Sequence, residues 1–450
     1  MPSRPSTPLV FRSAVVAALG GLLFGYDTAV ISGAEQALQR LFHLDSFGIG
    51  FTVATALIGT ILGSVVIEKP ADAWGRKPTL LLLAILYFVS AVGCALANAW
   101  IVLVVARFIG GIAIGGCSVV APMYIAEISP PQVRGRLVAV NQLNIVVGIL
   151  LSFVANYLIA RHVAGDSAWR WMLGVVAVPS VAFFVLLFGV VESPRWLVKA
   201  GSVEQAKAVL QDLGHTDAAA KVTEILNSLR GAEDRLFQRR YAFPIFLAIA
   251  IAMFNQLSGI NALMYYAPRI FEMAGAGEGS ALLQSVAVGG TNLVFTLVGM
   301  SLIDFSGRRK LIIWGSYGYI ASLTAVAWAF HRYQDHFTGA GSVIVLVSLL
   351  VFQASHALGQ GAVIWVFLSE IFPNAVRAKG QALGSFTHWM MAAIVSGTFP
   401  MIAAWSGAGA FGFFAAMMVI QLAFAWKLMP ETKGKTLESM DARNLASSTL

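Results

Sequence analysis

Twelve apolar runs follow one another along the chain, each near the ~20 residues that carry a helix across ~30 Å of hydrocarbon. They lie near 11–31, 47–67, 78–98, 100–126, 137–160, 169–191, 242–264, 281–303, 310–330, 342–369, 380–401 and 406–428. Lipid offers no partner to an exposed peptide group, so runs of this length predict helices that satisfy their own backbone. The expected fold is an all-α membrane protein of twelve transmembrane helices in two pseudo-symmetric six-helix bundles. One interval is long and polar. Between Glu192 and Tyr241 the stretches VEQAKAVLQDL and DAAAKVTEILNSL read as short amphipathic helices. The organisation is thus a bundle over 1–191, a linker over 192–241, a second bundle over 242–430 and a tail over 431–450. Arg12 and the apolar run after it resemble a secretory leader, but no small-residue cleavage site precedes the charged Asp27, so the run reads as an uncleaved first span.

Composition agrees: 58% of the 450 residues are hydrophobic and 12% charged, far from a soluble domain of this length. Cys94 and Cys117 both lie in apolar runs, which predicts packing roles and neither disulfides nor metal ligation. The net charge of +8 does not point to nucleic acid, because the basic residues sit in short loops instead of on one surface. Their distribution orients the chain. With the N-terminus inside, only Arg40, Arg161, Arg170, Arg269 and Arg332 fall outside, and Arg107 falls within a span. Both termini are expected in the cytoplasm.

Two loop motifs occur twice. DAWGRK, from Asp72 through Arg76, follows span 2, and DFSGRR, from Asp304 through Arg308, follows span 8. AEISPPQVRG sets Glu127 seven residues before Arg134 after span 4, and SEIFPNAVRA sets Glu370 seven before Arg377 after span 10. Two motifs recurring in the same order at equivalent loops argue for an internal duplication. Carboxylates at helix ends and arginines from nearby loops form charge-assisted bonds. These predict a cytoplasmic gate of exposed pairs, each worth ~0–1 kcal/mol and hence able to break and reform.

With FGYDTAVISG (24–33), ESPRWL (192–197), NQLSGINALMYYAP (255–268) and PETKGKTLE (430–438), these motifs resemble those of the sugar porter family of the major facilitator superfamily. The resemblance covers nearly the whole chain. It implies two six-helix bundles that rock about a central site, and alternating-access movement of a monosaccharide, hexose or pentose, across a bacterial inner membrane by a monomer. No cofactor is expected beyond a proton as coupling ion. Glu192 and Arg195 of ESPRWL join the expected gate.

A sugar calls for amides that donate and accept, and for aromatic rings against its apolar faces. The spans supply Gln142, Gln256, Asn261, Asn292 and Trp365, and the resemblance implies that these bind sugar, with Tyr265 at an extracellular lid. Gln256 and Asn261 stand roughly 140° apart on a regular helix, so joint use calls for an irregular helix, for which Gly259 is placed, or for a broad cavity. Three departures from the family pattern bear on substrate choice. Asn255 stands where a glutamine is common. GQGAVIW (359–365) lacks the proline usual in span 10, leaving flexibility to its glycines. His356 and His388 replace expected Glu, Gln or Asn, as sugar ligands, pH-sensitive groups or neutral packing.

Asp27 and Arg107 fall at similar depth in the first bundle, and by resemblance to proton-coupled porters Asp27 is the expected proton carrier; the other reading is a permanent ion pair. Facilitative uniport and a non-transporting sugar sensor are the competing functions, the sensor disfavoured by the short tail. No sequence motif for a membrane-embedded enzyme is found. Glu68 stands where relatives carry glycine, either snorkelling to the surface or pairing with Arg76.

Overall fold

The computed structural model describes residues 8–163, 165, 167–229, 234–334, 336–373 and 375–433, with the side chains of 131, 132, 228, 229 and 304 set aside. The tail beyond 433 therefore lies outside the described residues. Twelve helices are long and apolar enough to span a membrane: Pro8–Leu41, Ser46–Ala73, Arg76–Ala95, Trp100–Ile128, Val133–His162, Ala168–Leu187, Arg239–Met273, Glu278–Ile303, Arg308–Tyr333, Gly339–Glu370, Arg377–Trp405 and Gly407–Lys427. They are spans 1 to 12. No strand occurs among the described residues. Val105, Val185, Val294, Trp314 and Val351 all point outward, a surface suited to hydrocarbon and not to water.

The chain forms two compact units that do not follow the sequence midpoint. One comprises Met1–Val30, Thr55–Ser152 and Gly165–Ala232; the other comprises Ile31–Ala54, Phe153–Ala164 and Glu233–Leu450. Spans 1, 2 and 5 are thus divided along their length. Span 1 also runs ten residues past the expected end, to Leu41. Its polar extension is stabilised inside the second unit, where buried Glu35 accepts from Arg269 Nε and Nη2 at 2.9 and 2.6 Å.

Small residues set the helix spacing. In the first unit, Cβ atoms added at Gly59, Gly63, Gly111 and Gly115 would meet backbone atoms of the facing helix at 2.0–2.3 Å, so spans 2 and 4 touch backbone to backbone as membrane helices do. Gly25 and Gly148 do the same for spans 1 and 5. The second unit has a broad apolar core that includes Leu247, Ile251, Ile312, Phe367, Phe372 and Phe424.

The linker forms helices Pro194–Lys199, Val203–Asp212 and Ala218–Leu229. Leu197, Ala206, Leu210, Val222 and Ile225 meet in a small core of their own, as the amphipathic pattern predicts. Cys94 and Cys117 are free and buried.

Candidate functional site

Span 7 carries the densest polar cluster of the second unit. Its first helix ends at Leu257, Gly259 takes a left-handed φ of +87°, and a second helix starts at Ile260. This break does what a regular helix would not: Asn261 Nδ2 donates to Gln256 Oε1 at 3.0 Å. A side chain at 259 would be strained in φ and would strike the Phe414 ring at 2.6 Å. Gln256 Nε2 donates to Asn255 Oδ1 at 3.0 Å and lies 3.1 Å from His388 Nε2. The His388 ring packs against Trp365 with centroids 5.0 Å apart, and Trp365 itself remains 37% exposed. Three amides, an imidazole and a half-open indole thus converge.

Span 10 bends without proline. Gly359, at φ −92° and ψ −99°, separates helix Gly339–Leu358 from helix Gln360–Glu370. The glycines do supply the break.

The other candidates are placed differently. Tyr265 is buried just past the Gly259 break. Asn292 is buried and accepts from Thr296 Oγ1 at 3.4 Å. His356 Nδ1 lies 2.6 Å from the Tyr319 hydroxyl, so of the two histidines only His388 bonds the amides. Gln142, half-buried in span 5, belongs to the first unit.

The first unit holds the intramembrane charges. Arg107 is 2% exposed and Asp27 7%, and one bond joins them, from Arg107 Nη1 to Asp27 Oδ2 at 3.3 Å. Arg107 Nε and Nη2 are buried with no partner among the described residues. A buried guanidinium with two unmet donors depends on its single counter-charge, which makes the pair sensitive to any change at Asp27.

The paired loop motifs fold into two matching clusters. In the first unit Arg76 Nε and Nη2 grip Glu127 at 2.9 and 3.0 Å, while Nη1 reaches Asp72 at 3.2 Å and the Ala71 carbonyl at 2.8 Å. Lys199 holds the other Asp72 oxygen at 2.8 Å. Glu192 accepts from the backbone N–H groups of Arg76, Lys77 and Ser193 at 3.0, 3.1 and 2.6 Å, capping the start of span 3. Burial pushes its carboxyl above the usual range, against the pull of these N–H donors. In the second unit Arg308 grips Glu370 at 2.9 and 3.2 Å, and Glu431 caps span 9 through the N–H groups of Arg308 and Arg309 at 2.9 and 3.1 Å. Gly75 and Gly307, at φ +106° and +86°, bring each backbone turn against its capping carboxylate.

Several expectations change. The Arg134 and Arg377 side chains, also expected in the gate, bond carbonyls of their own turns: Arg134 turns to that of Ser129 and Arg377 to that of Phe372, at 3.4 and 3.3 Å. Those arginines start new helices and point along their own turns, whereas Arg76 and Arg308 lie beside the carboxylates. The pairs are also not exposed, since Arg76 and Glu127 side chains are 6% and 9% accessible, so the surface estimate for their strength fails. Arg195 is exposed and takes no part in the cluster among the described residues. The Asp304 side chain lies outside the described residues. Glu68 is exposed and Arg76 is saturated by other partners, so the Glu68–Arg76 pair does not form. Lys199, Glu431 and Thr432, which donates to Glu370 at 2.6 Å, escaped the sequence reading. Glu431 had a signal, because ESP after span 6 and ETK after span 12 are a third repeated pair.

Comparison with known proteins places this arrangement. The family model described as Sugar (and other) transporter matches residues 13–443. The D-xylose-proton symporter of Escherichia coli K12 is 38% identical, over 98% of this chain and 97% of its own length. The glucose transport protein of Synechocystis is 36% identical, over 94% and 95%. Among solved structures, the inward open conformation of the xylose transporter XylE from E. coli superimposes with a TM-score of 0.86 at 37% identity, covering 96% of this chain and 99% of that one.

Proposed function

The chain belongs to the Sugar (and other) transporter family, a major facilitator membership from which we propose that it moves a monosaccharide across a bilayer by alternating access, coupled to a proton carried on Asp27. Its relatives include a D-xylose–proton symporter and a glucose transport protein. The observation that carries the coupling is the buried, singly bonded Asp27–Arg107 pair. Protonation of Asp27 removes the one counter-charge that the described residues give a guanidinium with unmet donors, so the arginine must find another partner or water. A change in the packing of spans 1 and 4 follows, and that change biases the equilibrium between conformations.

The sugar binds at Gln256, Asn261, Asn255 and His388, with its apolar face on Trp365. Asn292 and Tyr265 complete the second unit's part of the recognition, His356 supports it through Tyr319, and Gln142 is the first unit's own sugar-binding candidate. Halves 1–191 and 242–430 each carry their own Arg–Glu cluster on the cytoplasmic side, Arg76 with Glu127 and Arg308 with Glu370. The chain works as a monomer in a bacterial inner membrane with both termini inside. The solute leaves chemically unchanged.

Proteoliposomes test the coupling. Wild-type protein is expected to alkalinise the medium when D-xylose or D-glucose is added outside, whereas Asp27→Asn keeps sugar counterflow and loses the alkalinisation. Wild-type uptake without proton movement rejects symport, and binding without uptake would make the protein a sensor. A cysteine placed at Ser202 should resist impermeant maleimide in intact cells and react in inverted vesicles; labelling in intact cells reverses the topology.

A further inference from the structure

The amides of span 7 do not end at the candidate cavity. Asn255 Nδ2 reaches Gln360 Oε1 in span 10 at 3.5 Å, Gln360 Nε2 donates to Gln421 Oε1 in span 12 at 2.8 Å, and Gln421 Nε2 donates to Ser316 Oγ in span 9 at 2.8 Å. Ser316 gives its own proton to the Ile312 carbonyl at 2.8 Å. Gln360 and Gln421 are each 1% exposed and Ser316 is fully buried. Two glutamines buried this deeply among apolar helices are costly unless bonded.

The order of the bonds has a direction, and one end fixes it. A carbonyl only accepts, so the single Ser316 proton goes to Ile312 and its oxygen must accept from an N–H of Gln421. The Gln421 oxygen then faces Gln360, which must present its amide nitrogen. The Gln360 oxygen requires the nitrogen of Asn255, the Asn255 oxygen takes Gln256 Nε2, and the Gln256 oxygen takes Asn261 Nδ2. No member of the series can flip without leaving two oxygens or two N–H groups face to face. At the open end stands Asn261, half-buried where all the others are buried, with its oxygen left as a hydrogen-bond acceptor. The remaining N–H of Gln256 obliges His388 to offer an unprotonated nitrogen.

We propose that Gln360, Gln421 and Ser316 are positioning residues for solute recognition: through this ladder a helix carbonyl in span 9 sets the donor–acceptor sense of the span 7 amides, so that Asn261 presents an acceptor to a donating hydroxyl of the sugar. The proposal rests on the sugar-site reading above. It assigns a specificity role to residues that never touch the solute.

Gln421→Met and Gln360→Met keep the shape and length of the side chain and remove the bonds, so folding should survive. Binding of D-xylose, D-glucose and their monodeoxy analogues to the purified full chain is measured by isothermal titration calorimetry, with KM and Vmax from counterflow. Each variant should raise KM for the parent sugar about tenfold, the value of one hydrogen bond, with Vmax changed less than twofold. The analogue lacking the hydroxyl that Asn261 accepts should lose almost nothing, so discrimination between parent and that analogue shrinks by the same factor. The double variant should behave like either single one, because the ladder is cut once. Unchanged discrimination in Gln421→Met, or a uniform loss for every sugar and analogue that follows thermal stability, overturns the proposal. A wild type that binds none of these sugars overturns the sugar-site reading instead. The ladder is then judged by the side-chain amide resonances of Gln256 and Asn261 in nitrogen-15-labelled protein, which Gln421→Met should shift and which, unmoved, would refute it.

Discussion

The strength of the Arg76 cluster can be worked from its geometry. Arg76 is 5% exposed and makes two bonds to Glu127, one to Asp72 and one to a carbonyl. Removing one partner of a buried, hydrogen-bonded pair costs ~3–5 kcal/mol, because the other charge stays buried. In Glu127→Gln an amide oxygen still accepts one bond, which sets the expected loss at the lower end, about 3 kcal/mol. Asp72 is 39% exposed, so Asp72→Asn removes a solvated, screened contact worth at most about 1 kcal/mol. The double variant Arg76→Met/Glu127→Met leaves no orphan charge and should recover much of the single-variant loss. Cys94 and Cys117 are free, buried and in the same unit, so a thiol-reactive fluorophore reports its unfolding during a thermal ramp. The expected order of destabilisation is Glu127→Gln first, the double variant next and Asp72→Asn last. Equal small shifts for Glu127→Gln and Asp72→Asn would show that the cluster behaves as surface charge, and the reasoning from burial would be wrong.

Gly259→Ala should abolish sugar binding while leaving the protein inserted, since a methyl there meets both a positive φ and the Phe414 ring at 2.6 Å; retained affinity in a binding titration would show that the break is not what joins Gln256 to Asn261. In the linker, burial and then the Lys221 ammonium lower the His215 pKa from its ordinary 6.5, against the opposing Glu224. The folded linker therefore binds fewer protons there than the unfolded one, so its stability is full above that value and declines as pH falls below it. Amide protection factors over 203–229, corrected for the pH dependence of intrinsic exchange, should fall from pH 7.5 to about 5.5 in the wild type, less so in His215→Gln, and an identical pH response in the two would remove His215 as the cause.

Much of the fold was legible because lipid is a demanding solvent. Twelve apolar runs, a polar divide after the sixth and two repeated loop motifs follow from what hydrocarbon allows and from duplication, and none of them needs coordinates. The same physics singled out Asp27, Arg107 and the span amides, since polar groups in apolar runs are costly and rarely idle. Gly259 could be named as a candidate break because a glycine there lets an irregular helix bring Gln256 and Asn261 together, a broad cavity being the other way for both to serve.

Partnership was decided by the tertiary structure. The repeated motifs named Glu127, Arg134, Glu370 and Arg377 as gate residues without assigning partners, and each carboxylate is taken by an arginine from another loop, Arg76 or Arg308. Sequence distance carries no information on which helix ends lie side by side. Burial was equally hidden: Arg76 sits in a turn that reads as solvent-exposed but is enclosed once Glu192 and the linker fold over it. Gln360 and Gln421 lie about sixty positions apart in ordinary apolar runs, where each looks like a tolerated polar residue. Only the packing of spans 7, 9, 10 and 12 brings them into one series with a direction. That direction is a property of the whole bundle, because a chain of hydrogen bonds takes its sense from its anchored end.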